Sequence, residues 1–166
     1  MKVCFIGHEN IQKDDELEML LEQTVIKLIK GGAKTFLFGS MSEFDDFSWG
    51  VVTKLRLQFP WIKRVYVRAV NQNIDVLYEK YFLESYEETF FPSKLEKAGR
   101  YSYVERNFEM IDNATYCIFY YNENYVPVGL RERKSGTKIA YNYAIKKKKK
   151  IINLYRDKIF CQKDWK

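Results

Sequence analysis

Short apolar segments alternate with amphipathic segments along the whole chain, and few folds accommodate that order. Strand-like apolar segments lie at residues 2–6, 33–38, 62–70, 115–121 and 150–155. Helix-like segments lie at residues 14–30, 43–58, 102–112 and 136–148, with a shorter one at about 75–84. The alternation is typical of parallel strands joined by helical crossovers. It predicts an α/β fold: a single Rossmann-like three-layer α/β/α sandwich with a mostly parallel sheet, over residues 1–166.

The segment 14–30 has the clearest helical periodicity. Apolar residues recur there at helical spacing, at Leu17, Leu20, Leu21, Val25, Leu28 and Ile29. Asp14 or Asp15 is the expected N-cap, and Gly31-Gly32 is expected to end the helix. By contrast, we expect irregular structure after residue 84 and a polar loop over 122–135. Aromatic side chains between residues 78 and 103 could stack on a base or pack in a core or dimer interface.

The charge of the chain is concentrated in one place. The formal net charge is +6, and Lys146–Lys150 supply five positive charges, so the rest of the chain carries only +1. This argues against a broad electrostatic surface for nucleic acid, which we therefore set aside as a partner. The five lysines are expected at a helix C-terminus, where positive charge complements the helix dipole.

Metal sites, cofactors and membrane segments have little support in the sequence. His8 is the single histidine, and Cys4, Cys117 and Cys161 are widely spaced with no CxxC pair. We predict no metal and no cofactor. The N-terminal apolar run is too short for a signal peptide, and no segment approaches the ~20 apolar residues of a membrane span. A cytoplasmic protein with reduced cysteines and no membrane partner is expected.

Small residues follow three of the predicted strands, where a parallel sheet binds its ligands. These segments are Gly7-His8-Glu9, Gly39-Ser40-Met41-Ser42 and Ser135-Gly136-Thr137. Glycine before a helix lets the backbone approach a phosphate, and the helix N-terminus favours negative charge. No segment matches GxGxxG or GxxxxGK[ST]. Ser135 is equally consistent with an ordinary helix cap, so both interpretations of the third segment stay open.

Several motifs occur in an order that is similar to a known superfamily. They are CFIGHENI, GGAKTFLFGSMSEFD, YVERNFEMIDNATYCIFYYNE and SGTKIAYNYAIKKKKKIINL. In this order the chain resembles the SLOG superfamily, in particular its YpsA-like members, whose Rossmann-like fold is related to LOG and DprA domains. The resemblance implies binding of a nucleotide-derived ligand. It implies a site made of Gly7, His8, Gly39, Ser40, Phe44, Asp45, Arg106, Asn107, Ser135, Gly136 and Thr137, with Arg100 as a looser candidate.

The same resemblance bears on catalysis. LOG-type phosphoribohydrolases carry a glutamate in a GGxGTxxE motif, and the equivalent position here is Ala140. A methyl group cannot replace that carboxylate at the sugar carbon. We therefore expect a non-catalytic sensor or sequestering protein for an ADP-ribose-like or cyclic nucleotide signal. The resemblance also implies a link to anti-phage defence and a homo-oligomer.

Two other functions remain open. An N-glycosidase could use a relocated carboxylate from Glu9, Glu43, Asp45 or Asp46, although the last three also favour a helix N-terminus. His8 could serve such an enzyme as a general acid, or it could make a structural hydrogen bond. The second alternative is a DprA-like nucleic-acid-binding module that uses the lysine run.

Overall fold

Six parallel strands form one sheet in the computed structural model of the chain, which describes residues 1–39, 42–70, 82–126 and 135–155. The strand order is β4-β3-β2-β1-β5-β6, and every pair of neighbours is parallel. The strands are β1 Lys2–Gly7, β2 Thr35–Phe38, β3 Lys63–Val67, β4 Glu88–Phe90, β5 Tyr116–Tyr120 and β6 Lys150–Asn153. The chain thus starts in the middle of the sheet and extends it first to one side and then to the other.

Helices cover both faces of this sheet. They are α1 Asp15–Lys30, α2 Glu43–Leu55, α3 Ser102–Asn113 and α4 Gly136–Lys146, and two 3₁₀ turns, Ser93–Lys97 and Gly99–Tyr101, precede α3. Apolar residues of α1 and α2 pack on one face of the sheet, and those of α3 and α4 pack on the other. The predicted Rossmann-like three-layer α/β fold is therefore confirmed. No helix of the described segments is long and apolar enough to cross a membrane.

Strand β1 is buried on both faces. Val3 and Phe5 point into the layer of α1 and α2, whereas Cys4 and Ile6 point into the layer of α3 and α4. Phe5 stacks on Phe38 of β2, with ring centroids 5.0 Å apart. A strand that is covered on both faces is apolar at successive positions, without alternation, because both sides need apolar side chains.

The ends of α1 follow the predicted signals. The Asp14 side chain caps the helix by accepting a hydrogen bond from the backbone N–H of Leu17, at 2.9 Å. Gly31 is the C-cap, and Gly32 has a positive φ of 97°, a conformation that glycine adopts without strain. The cap and the two glycines were therefore identified correctly from the sequence.

The segment between β3 and α3 differs most from prediction. β3 ends at Val67 instead of continuing to residue 70, and the three-residue strand β4 was not predicted. Most of the helix expected at 75–84 lies outside the described residues, although residues 82–85 are helical. β4 escapes sequence analysis because its residues, Glu-Thr-Phe, have no apolar pattern. The strand exists through its pairing with β3 at the edge of the sheet.

A close approach of α2 to the end of β1 requires glycine at position 7. A Cβ on Gly7 would lie 2.5 Å from the Phe44 side chain, whereas a Cβ on Gly50 of α2 would meet nothing within 4 Å. We expect Gly7→Ala to lower the free energy of unfolding by about 1–3 kcal/mol through overpacking. The matched variant Gly50→Ala should raise it by about 0.5–1 kcal/mol, because alanine favours helix. Chemical denaturation measures both, and equal effects of the two changes would contradict this assignment.

Candidate functional site

A cavity of about 350 Å³ opens at the carboxyl edge of the sheet, beside the end of β1. The strand order reverses at this point. From β1 the chain adds β2, β3 and β4 on one side, and it then returns to add β5 and β6 on the other side of β1. Crevices at such switch points are the usual ligand sites of open parallel sheets. The cavity volume falls within the range of small-ligand pockets, about 300–1,000 Å³.

Most of the predicted site residues line this cavity. They are Gly7, His8, Gly39, Asp45, Arg106, Asn107, Ser135, Gly136 and Thr137. Phe44 does not line it, since its fully buried ring packs beneath Gly7 and stacks on Tyr120. Arg100 is exposed outside the cavity and lies over the ring of Tyr101. Ser40 lies outside the described residues. That the gathered residues bind a ligand stays a prediction.

Other residues that line the cavity include Ser42, Tyr103, Met110 and Tyr125. Ser42 belongs to the predicted segment after β2 and Tyr103 to the aromatic segment considered for base stacking, whereas Met110 and Tyr125 were not predicted. Two of these had a detectable signal. Tyr103 and Met110 precede and follow Arg106-Asn107 by three residues on α3, so all four share one face of that helix. Ser42 is the N-cap of α2 and follows the Gly39 turn. Tyr125 lies in an irregular loop, and no periodicity connects it with the site.

Arg106 places a buried positive charge in the cavity. Its side chain is only 3% exposed. It donates hydrogen bonds to the carbonyl oxygens of Gly39 and Val67 and to the side-chain oxygen of Asn107. Burial lowers the pKa of the Arg106 guanidinium from its ordinary value, and the negative charge of Asp45 opposes this by raising it. No residue of the described segments accepts a hydrogen bond from its Nη2 group.

A second buried arginine shows how a purely structural guanidinium is satisfied in this fold. Arg64 is 4% exposed and donates from Nε and Nη2 to the two carboxylate oxygens of Glu87, at 3.2 and 2.7 Å. Its Nη1 donates to the hydroxyl of Thr53 at 2.8 Å. Each arm of Arg64 therefore has a partner. Arg106 differs from Arg64 because its Nη2 group, beside the cavity, has no acceptor among the described residues.

The turn after β2 is shaped around the Arg106 side chain. A Cβ on Gly39 would lie 2.3 Å from the guanidinium carbon of Arg106, so a larger residue there would displace the arginine. The Asp45 carboxylate accepts a hydrogen bond from the Gly39 N–H at 3.1 Å and so holds the same turn. Gly39 and Asp45 therefore position the buried cation.

His8 follows β1 and is 1% exposed. Its Nε2 lies 2.9 Å from the backbone nitrogen of Asn122 and 3.2 Å from the oxygen of the same residue. The shorter contact is an N–H donating to Nε2, which assigns the proton of the neutral ring to Nδ1. Nδ1 is buried without a hydrogen-bond partner among the described residues. Burial lowers the pKa of His8 to about 4, so the ring is neutral at pH 7.

The N-terminus of α4 forms another wall of the cavity. The Ser135 hydroxyl oxygen accepts from the Lys138 N–H at 3.1 Å, which makes Ser135 the helix cap. The Thr137 hydroxyl donates to the Gly7 carbonyl at 2.9 Å and joins α4 to β1. The Thr137 hydroxyl proton is thus engaged, and the donors without an acceptor among the described residues are the Ser135 O–H and the N–H groups of Gly136 and Thr137. A Cβ on Gly136 would meet nothing within 4 Å, so the backbone is open to approach there.

The residues considered for glycosidase chemistry lie in different environments. Ala140 is 1% exposed and packs in the core between α4 and the sheet, outside the cavity lining. The Glu43 carboxylate accepts from the Ile11 N–H and from Lys13, which together lower its pKa. Glu9 and Asp45 are the carboxylates that line the cavity among the described residues. In the same described segments, no group of three or more His, Cys, Asp or Glu side chains could hold a metal ion.

The lysine run lies at the opposite edge of the sheet from the cavity, where α4 ends and β6 begins. Lys149 donates to the carbonyl oxygens of Asp112 and Ala114, both at 2.9 Å, and so satisfies the end of α3. Lys147 forms an ion pair with Asp112 at 3.4 Å. These lysines therefore have structural partners at a helix C-terminus, as expected for that position.

Comparison with known proteins supports the fold and leaves the family open. No protein-family model matches the chain, and no curated protein matches it. Among solved structures, the chain is similar to DNA processing protein A of Helicobacter pylori, which was described for its single-stranded DNA binding mode. The TM-score is 0.54 at 17% identity, and the match covers 91% of this chain and 63% of that chain. The class that fold and site define is thus a Rossmann-like α/β protein, DprA-like in its fold. The narrower likeness to SLOG and YpsA stays a prediction.

One prediction from the sequence is contradicted by this comparison. Because the net charge outside the lysine run is small, nucleic acid was set aside as a partner in favour of a small nucleotide-derived molecule. The similar structure belongs to a protein that binds single-stranded DNA. A small overall charge therefore does not exclude nucleic acid as a partner, since a local cluster of donors can contact phosphates without a basic surface.

The single histidine allows a direct test of the site electrostatics. Its imidazole signals in an NMR pH titration are expected to give a pKa of about 4, below the ordinary value of 6.5, because burial disfavours the charged ring. Since the folded pKa lies below the unfolded one, His8 should destabilise the fold as the pH falls from 6.5 toward 4. A His8→Gln variant should lack this part of the acid dependence. A measured pKa above 6 would contradict the buried neutral ring.

Proposed function

We propose that this chain binds single-stranded nucleic acid, with one phosphate group of the strand held in the cavity at the end of β1. The observation that carries the proposal is the convergence on that cavity of three kinds of donor that have no acceptor among the described residues. They are the Arg106 guanidinium, the His8 ring and the N-terminal N–H groups of α4. The similarity to a single-stranded DNA-binding protein supports nucleic acid as the source of the phosphate.

The phosphate is recognised by charge and by hydrogen bonds together. The buried Arg106 has lost much of its hydration, and an anion beside its Nη2 group would compensate for that loss. The dipole of α4 favours negative charge at Gly136, and the open backbone there allows an oxygen to approach the N–H groups. A phosphate group offers enough oxygens to accept from both elements at once.

His8 adds a neutral donor to this arrangement. Its Nδ1–H has no acceptor among the described residues, and a buried donor without a partner costs free energy. A phosphate oxygen or a base carbonyl that displaced the atoms covering Nδ1 would satisfy it. Tyr125 stacks on the imidazole at a centroid distance of 3.9 Å and holds the ring in place. The role of His8 in this proposal is ligand binding, without proton transfer.

Two exposed aromatic rings, one in the cavity lining and one outside it, provide surfaces for bases. Tyr103 lines the cavity and is 46% exposed, and its ring lies 5.9 Å from the Arg106 guanidinium carbon. Tyr101, with Arg100 over its ring, is 54% exposed just before α3. Stacked aromatic rings combined with arginines are typical of sites for single strands, and they discriminate little between bases. We therefore expect weak sequence preference and strong salt dependence.

A negative charge at position 136 should weaken ligand binding without destabilising the fold. Gly136→Asp should leave the fold intact, because the site is sterically open and an acidic residue favours a helix N-terminus. Its carboxylate should nevertheless repel the phosphate and lower the affinity for a labelled oligothymidylate at least about tenfold. Fluorescence anisotropy measures the affinity, and thermal denaturation checks the fold.

The matched control is Gly136→Asn, which has the same shape without the charge and should keep most of the affinity. Equal binding by wild type and Gly136→Asp, or no binding of oligothymidylate by the wild type, would contradict the proposed function. Tighter binding of a mononucleotide than of the oligonucleotide would contradict nucleic acid as the ligand. That result would assign the cavity to a small nucleotide.

A further inference from the structure

A second concave surface begins at the amino edge of the sheet and extends along β3 and β4 as far as Phe90, the last residue of β4. It encloses about 440 Å³, and Leu37 and Val65 form its floor. These two residues belong to the face of the sheet on which α3 and α4 pack. We call this surface the amino-edge groove, and the residues around its floor that matter here are Lys2, Lys34, Trp61, Lys63, Glu88 and Phe90.

The groove exposes two aromatic side chains. Trp61 is 55% exposed and Phe90 is 37% exposed. Trp61 is held in an edge-on contact with Phe59, with ring centroids 5.5 Å apart, so one large apolar surface stays open to solvent. A large exposed aromatic residue in a concave surface marks an interaction site, because leaving it in water forfeits the free energy of burial.

The charge of the groove is positive. Lys2, Lys34 and Lys63 are exposed around it, and Glu88, the carboxylate in the lining, forms an ion pair with Lys63. Lys2 of β1 and Lys63 of β3 are both paired in register with Thr35 of β2. Their Cα atoms are therefore about two strand spacings apart, roughly 10 Å. Positive charges are thus spread along the groove, beside its exposed aromatic rings.

We propose that the amino-edge groove is a second contact site for single-stranded nucleic acid, in which a base stacks on Trp61 and the lysines contact phosphates. The inference rests on the proposed function, since it assigns a further part of the same strand to this surface. Lysines beside exposed aromatic rings, over an apolar floor, match the chemistry of a single strand: anionic along its backbone and flat and apolar on its base faces.

The two sites lie at opposite ends of β1. Strand β1 runs from Lys2, at the groove, to Gly7, at the cavity, and so separates them by roughly 17 Å. A short oligonucleotide can occupy one site at a time. A longer one can reach both, and its second contact then gains from a high effective concentration. The proposal therefore predicts an affinity that rises with length more steeply than the number of bases alone requires.

The experiment compares oligothymidylates of about 4 and about 16 nucleotides, which span the usual site sizes. In the double variant Lys34→Gln/Lys63→Gln, binding of the long strand should weaken several-fold. The slope of log K against log salt should become shallower by about 1.4, the value for two phosphate contacts on a single strand. Trp61→Ala should weaken long-strand binding by about five- to 100-fold. Binding of the short strand, held in the cavity, should change little in both variants.

The control Lys27→Gln/Lys97→Gln removes the same charge from exposed positions outside both sites. It should leave the salt slope unchanged. An equal effect of the control and the groove variant, or normal long-strand binding by Trp61→Ala and the lysine variant, would overturn this inference alone. Gly136→Asp would still weaken the short strand in that case. Failure of the wild type to bind either strand would overturn the proposed function and the groove together.

Discussion

The position of β1 in the middle of the sheet is the constraint on which the rest of the structure depends. β1 pairs with β2 on one side and with β5 on the other, so its backbone hydrogen bonds are used in both directions. The crossovers on its two sides place helices on opposite faces of the sheet, because parallel connections are right-handed. The cavity beside its carboxyl end follows directly, since the two crossovers diverge there.

Charge burial determines the character of that cavity. A guanidinium in a protein interior has to recover through local contacts what it loses in hydration. Arg64 does so through the Glu87 carboxylate, whereas Arg106 depends on carbonyl oxygens, the side chain of Asn107 and the field of Asp45. The neutral His8 ring beside it also lacks a hydrogen-bond partner, since its Nδ1 has no acceptor among the described residues. An anionic ligand would supply the missing hydrogen-bond acceptor to both Arg106 and His8.

The two edges of the sheet offer different chemistry because all six strands are parallel. The N-termini of α2 and α4, capped by Ser42 and Ser135, meet at the carboxyl edge and bring positive helix-dipole ends to the cavity. The amino edge receives helix C-termini, where carbonyl oxygens attract lysines such as Lys149. Basic side chains therefore accumulate at the amino edge, while the carboxyl edge relies on backbone donors and one buried arginine. The proposed strand of nucleic acid would therefore meet different donors at the two edges.

Much of this could be predicted from the sequence, and the missing parts have a common cause. Apolar segments and helix caps depend on neighbouring residues, so the fold class, the Asp14 cap and the small residues after β1, β2 and the 122–135 loop were visible locally. β4 depends on pairing with β3, and Tyr125 reaches the site only because β1 and β5 are adjacent. The sequence by itself determined the other five strands, the four α-helices and the edge of the sheet that carries the candidate site. Only the tertiary structure decided that Arg106 is buried with a donor that has no acceptor among the described residues, that the Thr137 hydroxyl donates to β1, and that Trp61 lies among lysines. Those properties arise from contacts between residues distant along the chain, which no local pattern records.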